Sequence, residues 1–162
     1  MKNNRIPTFD ELLTQGEFLQ LCNWVDSFME KHKLYPESGC GIVSLSGGAD
    51  SLLLSLVLKQ LVNTHKLKDL RFVHFHHGTR SSQDSELQFV QTFTSQIGID
   101  GDFVYLNLDQ MQNGSNFEML ARNERYKALK QFITDGDALF LGHHIDDSFE
   151  WSLMQQFKSS EV

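Results

Sequence analysis

The feature that most constrains the fold is a pair of glycines that separates a β-rich segment from a leucine-rich one. The β-rich segment covers residues 41–46, the glycines are Gly47 and Gly48, and the apolar segment 52–61 follows. Glycine lets the backbone close tightly around a ligand and turn its N–H groups inward, and a helix beginning near Asp50 adds the positive end of its dipole. We therefore predict an anion-binding site in residues 46–51, called the glycine loop below.

The glycine loop lacks the lysine of a P-loop, because the pattern GxxxxGK[ST] is absent. We therefore expect a phosphate to be held by backbone amides, including that of Ala49, and by the hydroxyls of Ser46 and Ser51. The alternative is a tight strand-to-helix turn without a ligand, which Gly-Gly alone would favour.

Strand-like and helix-like segments alternate along the chain. The predicted strands are 41–46, 70–76, 102–107 and 138–141. The predicted helices are 50–64, 115–134, 146–157 and one that Ser81 or Ser82 caps and Gly98 stops. Capping-box patterns beginning at Thr8 and Thr14 predict an amphipathic helix before the first strand. This alternation predicts an α/β three-layer sandwich with a mostly parallel sheet, whose ligand lies at the carboxyl ends of the strands.

Length and charge limit the domain count and the partners. We predict an N-terminal helical extension over 1–40 and one nucleotide-binding domain over 41–162. The net charge of −7 argues against a broad nucleic-acid-binding surface. Any RNA contact must therefore be local or supplied by another segment or subunit. No apolar run approaches membrane-spanning length, and a cytoplasmic location is the default expectation. Cys22 and Cys40 are expected to be free thiols.

A histidine-rich segment ends the second predicted strand. His74 and His76 alternate along it and should share one face. We expect them to form a wall of a nucleotide site, with metal ligation as the alternative. Arg80, after a turn glycine, is placed to reach a phosphate, and its alternative is a solvated surface arginine.

A charged stripe on the predicted helix 115–134 is a second candidate site. Glu118, Arg122 and Arg125 lie on one face of this helix, where a carboxylate and two guanidiniums suit a polyphosphate or an RNA phosphate. The alternative is a surface salt bridge, because Ser115 and Glu118 also fit a capping box and Glu118 to Arg122 is an i,i+4 pair.

Acidic residues follow the fourth predicted strand. Asp146 or Asp147, together with Asp50, is expected to hold Mg²⁺ against a pyrophosphate, since Mg²⁺ prefers oxygen ligands. His143 is expected to contact the nucleotide. The alternative for the acids is stabilisation by the dipole of the helix that they begin.

Four motifs together resemble tRNA(Ile)-lysidine synthetase, a family with an N-type ATP pyrophosphatase (PP-loop) catalytic domain. The motifs are SGGADS at 46–51, HFHHGTR at 74–80, NFEMLARNERY at 116–126 and GHHIDDSFE at 142–150. The resemblance covers about residues 41–157 and implies an adenine nucleotide alpha hydrolase-like (Rossmann-like) fold.

The resemblance also implies a reaction and its participants. With ATP and Mg²⁺, the family adenylates the wobble cytidine of tRNA(Ile) bearing a CAU anticodon, and the amine of free L-lysine then displaces AMP. By motif position, residues 46–51, His74 and His143 would contact ATP and Arg80 would lie beside its phosphates. Glu118, Arg122 and Arg125 would serve the tRNA and lysine side.

The chain also departs from the family pattern. His76 stands where the family usually has Asn or Asp, and the usual C-terminal RNA-binding domains have no counterpart. A separately encoded C-terminal half is one expected partner. Two other functions stay open: a non-catalytic ATP- or AMP-binding module or degenerate fragment, and another adenylating enzyme such as a tRNA sulfur transferase.

Overall fold

The computed structural model describes residues 8–37, 39–76, 82–106 and 117–143. Helices and strands alternate through these residues after two N-terminal helices. The strands are β1 (Gly41–Ser44), β2 (Leu70–His76), β3 (Asp100–Tyr105) and β4 (Ala138–Leu141). The helices are α1 (Phe9–Leu13), α2 (Gly16–His32), α3 (Ala49–Asn63), α4 (Ser82–Ile97) and α5 (Phe117–Leu129).

The sheet has the strand order β3-β2-β1-β4, and each neighbouring pair is parallel. The chain runs outward from β1 through β2 to β3 and then returns to the other side of β1 with β4. The strand order therefore reverses at β1, and such a switch point opens a crevice at the carboxyl ends of the strands. The glycine loop directly follows β1 and so lies at this crevice.

Each face of the sheet carries its own apolar cluster. On one face Val43 packs in a cluster with Leu58 of α3 and Val90 of α4. On the other face Ile42 packs in a cluster with Leu129 of α5. Adjacent residues of a strand point to opposite faces, so β1 contributes to both layers. The predicted α/β sandwich with a parallel sheet is confirmed.

The two N-terminal helices pack on the outside of α3, where Phe18 and Cys22 of α2 form a cluster with Val57. The predicted capping box between Thr8 and Glu11 is confirmed. The second predicted box is wrong, because Thr14 ends α1 instead of beginning α2. Its hydroxyl donates to the Glu11 carbonyl over 2.7 Å. The division of the chain at residue 40 stays a prediction.

Several element boundaries differ from those expected, and β1 ends at Ser44 where the prediction continued to residue 46. β3 begins at Asp100, two residues early, because Asp100 and Gly101 pair with Arg71 and Phe72 despite being weak strand formers. Helix α5 ends at Leu129 and not near 134, since i→i−3 hydrogen bonds tighten the chain after it. Phe132 and Ile133 still reach the core, but from this turn. The predicted helix 146–157 lies outside the described residues.

Cys22 is buried, whereas Cys40 is only partly buried. Cys22 and Cys40 are free, and burial raises the pKa of both thiols. Within the part of the chain that the structure describes, no helix is both long and apolar enough to cross a membrane.

Candidate active site at the carboxyl edge of the sheet

The backbone of the glycine loop turns sharply between β1 and α3. Gly47 has a φ of +83°, a conformation that favours glycine, and Gly48 is the N-cap of α3. No side chain in the described structure caps this helix. The first hydrogen bond of α3 runs from the Leu52 amide to the Gly48 carbonyl, so the amides of residues 49–51 have no acceptor within the helix. They are the donors available to an anion.

Two serines brace the loop from within. The Ser51 hydroxyl donates to the Gly48 carbonyl over 2.9 Å and accepts from the Ser46 amide over 3.2 Å. The Ser46 and Ser51 hydroxyl oxygens are 3.0 Å apart, and the Ser46 oxygen accepts from the Gly48 amide over 3.3 Å. A hydroxyl has only one proton. Since Ser51 uses its own on Gly48, Ser46 must donate to Ser51, which leaves the free backbone amides to face a ligand.

A close backbone contact fixes the loop against β4. A Cβ built on Gly142, the residue after β4, would lie only 2.7 Å from both N and Cα of Ser51. Any side chain at this position would therefore displace either the first turn of α3 or the end of β4. This glycine belongs to a quoted motif, but the contact could not be predicted from the sequence.

Two clefts adjoin the glycine loop, and Ser46 and Arg125 line both of them. We call one the β2 cleft; it is also lined by His74, His76 and Glu86. We call the other the β4 cleft; it is also lined by Ser51, Tyr126, Gly142 and His143. The predicted site residues on β1, β2, α5 and β4 thus meet at one edge of the sheet.

Arg125 places a guanidinium between the two clefts. Its side chain is half-buried, and burial lowers the pKa of this guanidinium. Arg125 and Arg122 both lie against the ring of Tyr126, with their guanidinium carbons 5.8 and 5.4 Å from the ring centroid. Arg122 Nη2 also donates to the Tyr126 hydroxyl over 3.4 Å. Two residues of the predicted stripe, Arg122 and Arg125, therefore cluster around Tyr126.

The two strand histidines have different surroundings. His74 is 2% exposed, and its Nδ1 donates to the Leu45 carbonyl over 2.8 Å. Burial lowers the pKa of His74, which favours the neutral ring. His76 is 7% exposed, and neither ring nitrogen makes a hydrogen bond to any described residue. His74 is thus held by the scaffold, whereas His76 keeps its hydrogen-bonding capacity.

Some predicted site residues are exposed or lie outside the described chain. Asp50 is exposed in the first turn of α3, and His143 is exposed at the end of β4. Arg80, Asp146 and Asp147 lie outside the described residues, as does the side chain of Glu118. Among the residues that are described, no group of three or more His, Cys, Asp or Glu side chains is arranged to hold a metal. The Mg²⁺ site therefore stays a prediction.

Two acidic residues of α4 were not predicted to lie at this site. A Cβ on Gly47 would lie 3.1 Å from Glu86 Oε1, and Asp84 Oδ1 lies 3.5 Å from His76 Nε2. The β2–α4 connection returns the start of α4 to the carboxyl edge of the sheet, as in any parallel crossover. The sequence predicted this topology, but it did not indicate which face of α4 carries Asp84 and Glu86.

Comparison with known proteins agrees with this geometry. The family model described as a PP-loop domain matches residues 21–162. The chain therefore belongs to the PP-loop domain family. It is similar to the tRNA(Ile)-lysidine synthase of Bacillus cereus strain ATCC 14579, with 35% identity over 143 residues that make up 84% of this chain and 29% of the relative. The tRNA(Ile)-lysidine synthase of Pseudomonas putida is 30% identical over 118 residues, 73% of this chain and 27% of the relative.

Solved structures share the fold at low sequence identity. The U34-tRNA thiolase NcsA from Methanococcus maripaludis superposes with a TM-score of 0.61 and 17% identity, covering 90% of this chain and 51% of that one. An NH3-dependent NAD synthetase from Campylobacter jejuni gives a TM-score of 0.53 and 12% identity, covering 78% and 52%. These likenesses support the predicted fold class. The chain spans less than a third of the length of the two lysidine synthases.

Proposed function

We propose that this chain binds ATP at the glycine loop and is the catalytic part of a tRNA(Ile)-lysidine synthetase. It would adenylate the wobble cytidine of the CAU anticodon and then join lysine to it, releasing pyrophosphate and AMP. The similarity to lysidine synthases over 73–84% of this chain supports the choice among PP-loop reactions. The four motifs at 46–51, 74–80, 116–126 and 142–150 lie within the 21–162 family match and are the residues that carry the resemblance.

The observation that carries the proposal is the set of amides at the start of α3 that have no acceptor among the described residues. They lie at the sheet's switch point, their helix has no side-chain cap among the described residues, and Arg125 lines the clefts beside them. Such a site suits the outer phosphates of a nucleoside triphosphate. The α-phosphate is then open to attack, and the developing charge on the leaving pyrophosphate meets donors that are already oriented.

The remaining roles follow from motif position. Asp50, Asp146 and Asp147 are the proposed ligands of Mg²⁺, which supplies positive charge at the pyrophosphate when bound. Arg80 is proposed to lie beside the phosphates. Glu118, Arg122 and Arg125 are proposed for the tRNA and lysine side, and binding the three reactants together removes much of the entropic cost of their encounter. His143 is proposed to contact the nucleotide from the β4 cleft.

The partners of this proposal are tRNA(Ile), free lysine and, for RNA binding, a separately encoded C-terminal half. The chain's net charge of −7 makes extensive contact with RNA phosphates unfavourable, so the half that binds the tRNA would supply most of the basic surface. The reaction would take place in the cytoplasm, where all three substrates occur.

Pyrophosphate release tests the proposed function directly. The chain, alone and together with its proposed C-terminal half, is incubated with ATP, Mg²⁺, lysine and a tRNA(Ile) transcript carrying CAU, and a transcript with U at the wobble position is the matched control. We expect sustained, multiple-turnover release that requires both lysine and the wobble cytidine, because without lysine the adenylated tRNA is not consumed and release stops after adenylation. ATP binding without release would favour a nucleotide-binding module, and release driven by another nucleophile would favour a different adenylating enzyme. Either result would contradict the proposal.

A further inference from the structure

His76 is the one buried side chain in the β2 cleft with unused hydrogen-bonding atoms among the described residues. Its two ring nitrogens are inaccessible to solvent and make no hydrogen bond there. A buried polar group without a partner costs roughly 1–3 kcal/mol. In folded proteins such a group is nearly always paired with a protein atom, an ordered water or a bound ligand. His76 lines the cleft together with Ser46 of the glycine loop and Arg125.

The neighbours of His76 indicate which nitrogen is available. Asp84 Oδ1 lies 3.5 Å from Nε2, too far for a good hydrogen bond but close enough to favour a proton on that nitrogen. In a neutral imidazole one nitrogen donates and the other accepts. With the proton on Nε2, the acceptor is Nδ1. Tyr105 covers part of the ring, with the two ring centroids 4.9 Å apart.

We propose that His76 is a specificity-determining residue of the nucleotide site, and that its Nδ1 accepts a hydrogen bond from an amino group of a substrate. This proposal rests on the proposed function, which places ATP at the glycine loop. Both small-molecule substrates, to which the proposal is confined, carry such a group: the exocyclic amine of adenine in ATP, and an amine of lysine. Asp84 is a positioning residue that selects the tautomer and touches no substrate.

The distinction from His74 follows from the same geometry. The Nδ1 of His74 is already bonded to the Leu45 carbonyl, so this atom cannot serve a ligand without breaking a contact of the scaffold. Although both histidines line the β2 cleft, only His76 has both ring nitrogens unpaired in the described structure. Strand alternation alone makes the two residues look equivalent, and their hydrogen-bond partners distinguish them.

The test compares the affinity for ATP with that for inosine triphosphate, which carries a carbonyl oxygen in place of the amine. Lysine binding is measured in parallel with a non-hydrolysable ATP analogue present. The variants are His76→Leu, which keeps bulk but has no acceptor, and His76→Asn, which retains one. His32→Asn, a change at an exposed histidine of α2, is the control. Urea unfolding of each variant identifies any that fails to fold.

We expect wild type and His32→Asn to prefer ATP over inosine triphosphate by about 10-fold or more, as for one hydrogen bond to a buried acceptor. His76→Leu should lose this preference and His76→Asn should retain part of it, which would assign the amine to adenine. Weaker lysine binding with an unchanged nucleotide preference would assign it to lysine. The proposal is overturned if His76→Leu alters neither the nucleotide preference nor lysine binding. It is also overturned if the wild-type chain binds no ATP.

The role of Asp84 has a separate readout. Its side chain is 79% exposed, so Asp84→Asn should leave the fold intact. Long-range ¹H–¹⁵N spectra of the His76 ring should show the proton on Nε2 in the wild type and a shift toward the other tautomer in the variant. The same tautomer distribution in both proteins would overturn this part. ATP binding without lysine-dependent release would instead contradict only the proposed function.

Discussion

Gly142 lies directly against the backbone of Ser51, and this contact couples the end of β4 to the first turn of α3. The two residues are 91 positions apart in the chain, but the parallel pairing of β1 with β4 brings them together. The amides proposed to bind phosphate belong to that same turn. The position of the loop therefore depends on the absence of a side chain at residue 142.

Gly142→Ala should impair nucleotide binding by displacing the first turn of α3. The new Cβ would meet backbone atoms at 2.7 Å, and such overpacking costs about 1–3 kcal/mol in stability. We expect ATP affinity to fall about 10-fold or more, because the loop amides must move. Gly16→Ala is the matched control, since a Cβ there meets nothing within 4 Å. Equal ATP affinity in both variants, measured by calorimetry, would contradict the coupling.

Ser51→Ala should weaken ATP binding through the shape of the loop. Its buried hydroxyl pairs with the Gly48 carbonyl and the Ser46 amide, and losing it should cost about 1–3 kcal/mol of stability. Ser55→Ala is a matched control one turn later, because that buried hydroxyl bonds only the Ser51 carbonyl in the described structure. Urea unfolding and ATP titration should show both variants destabilised but only Ser51→Ala impaired in binding. Equal losses of ATP affinity in the two variants would mean that the hydrogen bonds of Ser51 within the glycine loop have no specific role in binding.

Asp50→Ala should abolish ATP-dependent turnover while the protein stays folded. The side chain is exposed at the helix N-terminus, where a carboxylate stabilises by about 0.3–1 kcal/mol, so little stability is lost. Asp10→Ala, in the first turn of α1, removes an equivalent charge away from the site. Circular dichroism and pyrophosphate release measure the two effects. Retained turnover in Asp50→Ala would show that the loop is only a structural turn.

The two arginines against Tyr126 should differ in their effects. Arg125 lines both clefts, so Arg125→Met should reduce both ATP affinity and turnover, by about 10-fold or more for a lost charged contact. Arg122→Ala should reduce tRNA-dependent turnover more than ATP binding. Arg71→Ala, which breaks the exposed ion pair with Asp102, is the control. The division of roles would be refuted if Arg122→Ala lowered binding and turnover by the same factor.

Asp137 should make stability depend on pH in the acid range. Its carboxylate accepts hydrogen bonds from the Cys40 amide at 2.7 Å and from the Thr134 amide and hydroxyl at 2.8 Å. The Cys40 bond is the largest cause of the lowered pKa of this carboxyl. Because the pKa of this carboxyl is lower in the folded than in the unfolded chain, its charged form stabilises the fold at pH values above the unfolded pKa, near 3.9. This stabilisation is lost as the pH falls through the folded pKa.

Asp137→Ala should therefore lower the free energy of unfolding by about 2 kcal/mol at pH 7 and by less at pH 3. The exposed neighbour Asp135→Ala is the control, with an expected change below about 0.5 kcal/mol. Urea unfolding across this pH range provides the measurement. A deficit in Asp137→Ala that is as large at pH 3 as at pH 7 would rule out the carboxylate as its source.

The sequence predicted the sheet and the place of the site because both depend on local patterns. Gly47 and Gly48 between an apolar strand and an apolar helix identified the loop, and the alternation of elements implied parallel strands. The partners of individual side chains depend on contacts across the sheet, which no local pattern contains. The hydrogen-bond partners of His74 and His76 could not be predicted for that reason, and the packing of Gly142 on Ser51 and of Glu86 on Gly47 was not foreseen.

The central claim is that backbone amides at the start of α3 bind the outer phosphates of ATP. Titration of the ¹⁵N-labelled chain with ATP and Mg²⁺, followed by ¹H–¹⁵N correlation spectra, observes these amides one by one. We expect the amides of residues 47–51 to shift saturably and to respond in the same way to inorganic pyrophosphate. Amides that stay unchanged at saturating ATP, or shifts confined to other parts of the chain, would contradict the account.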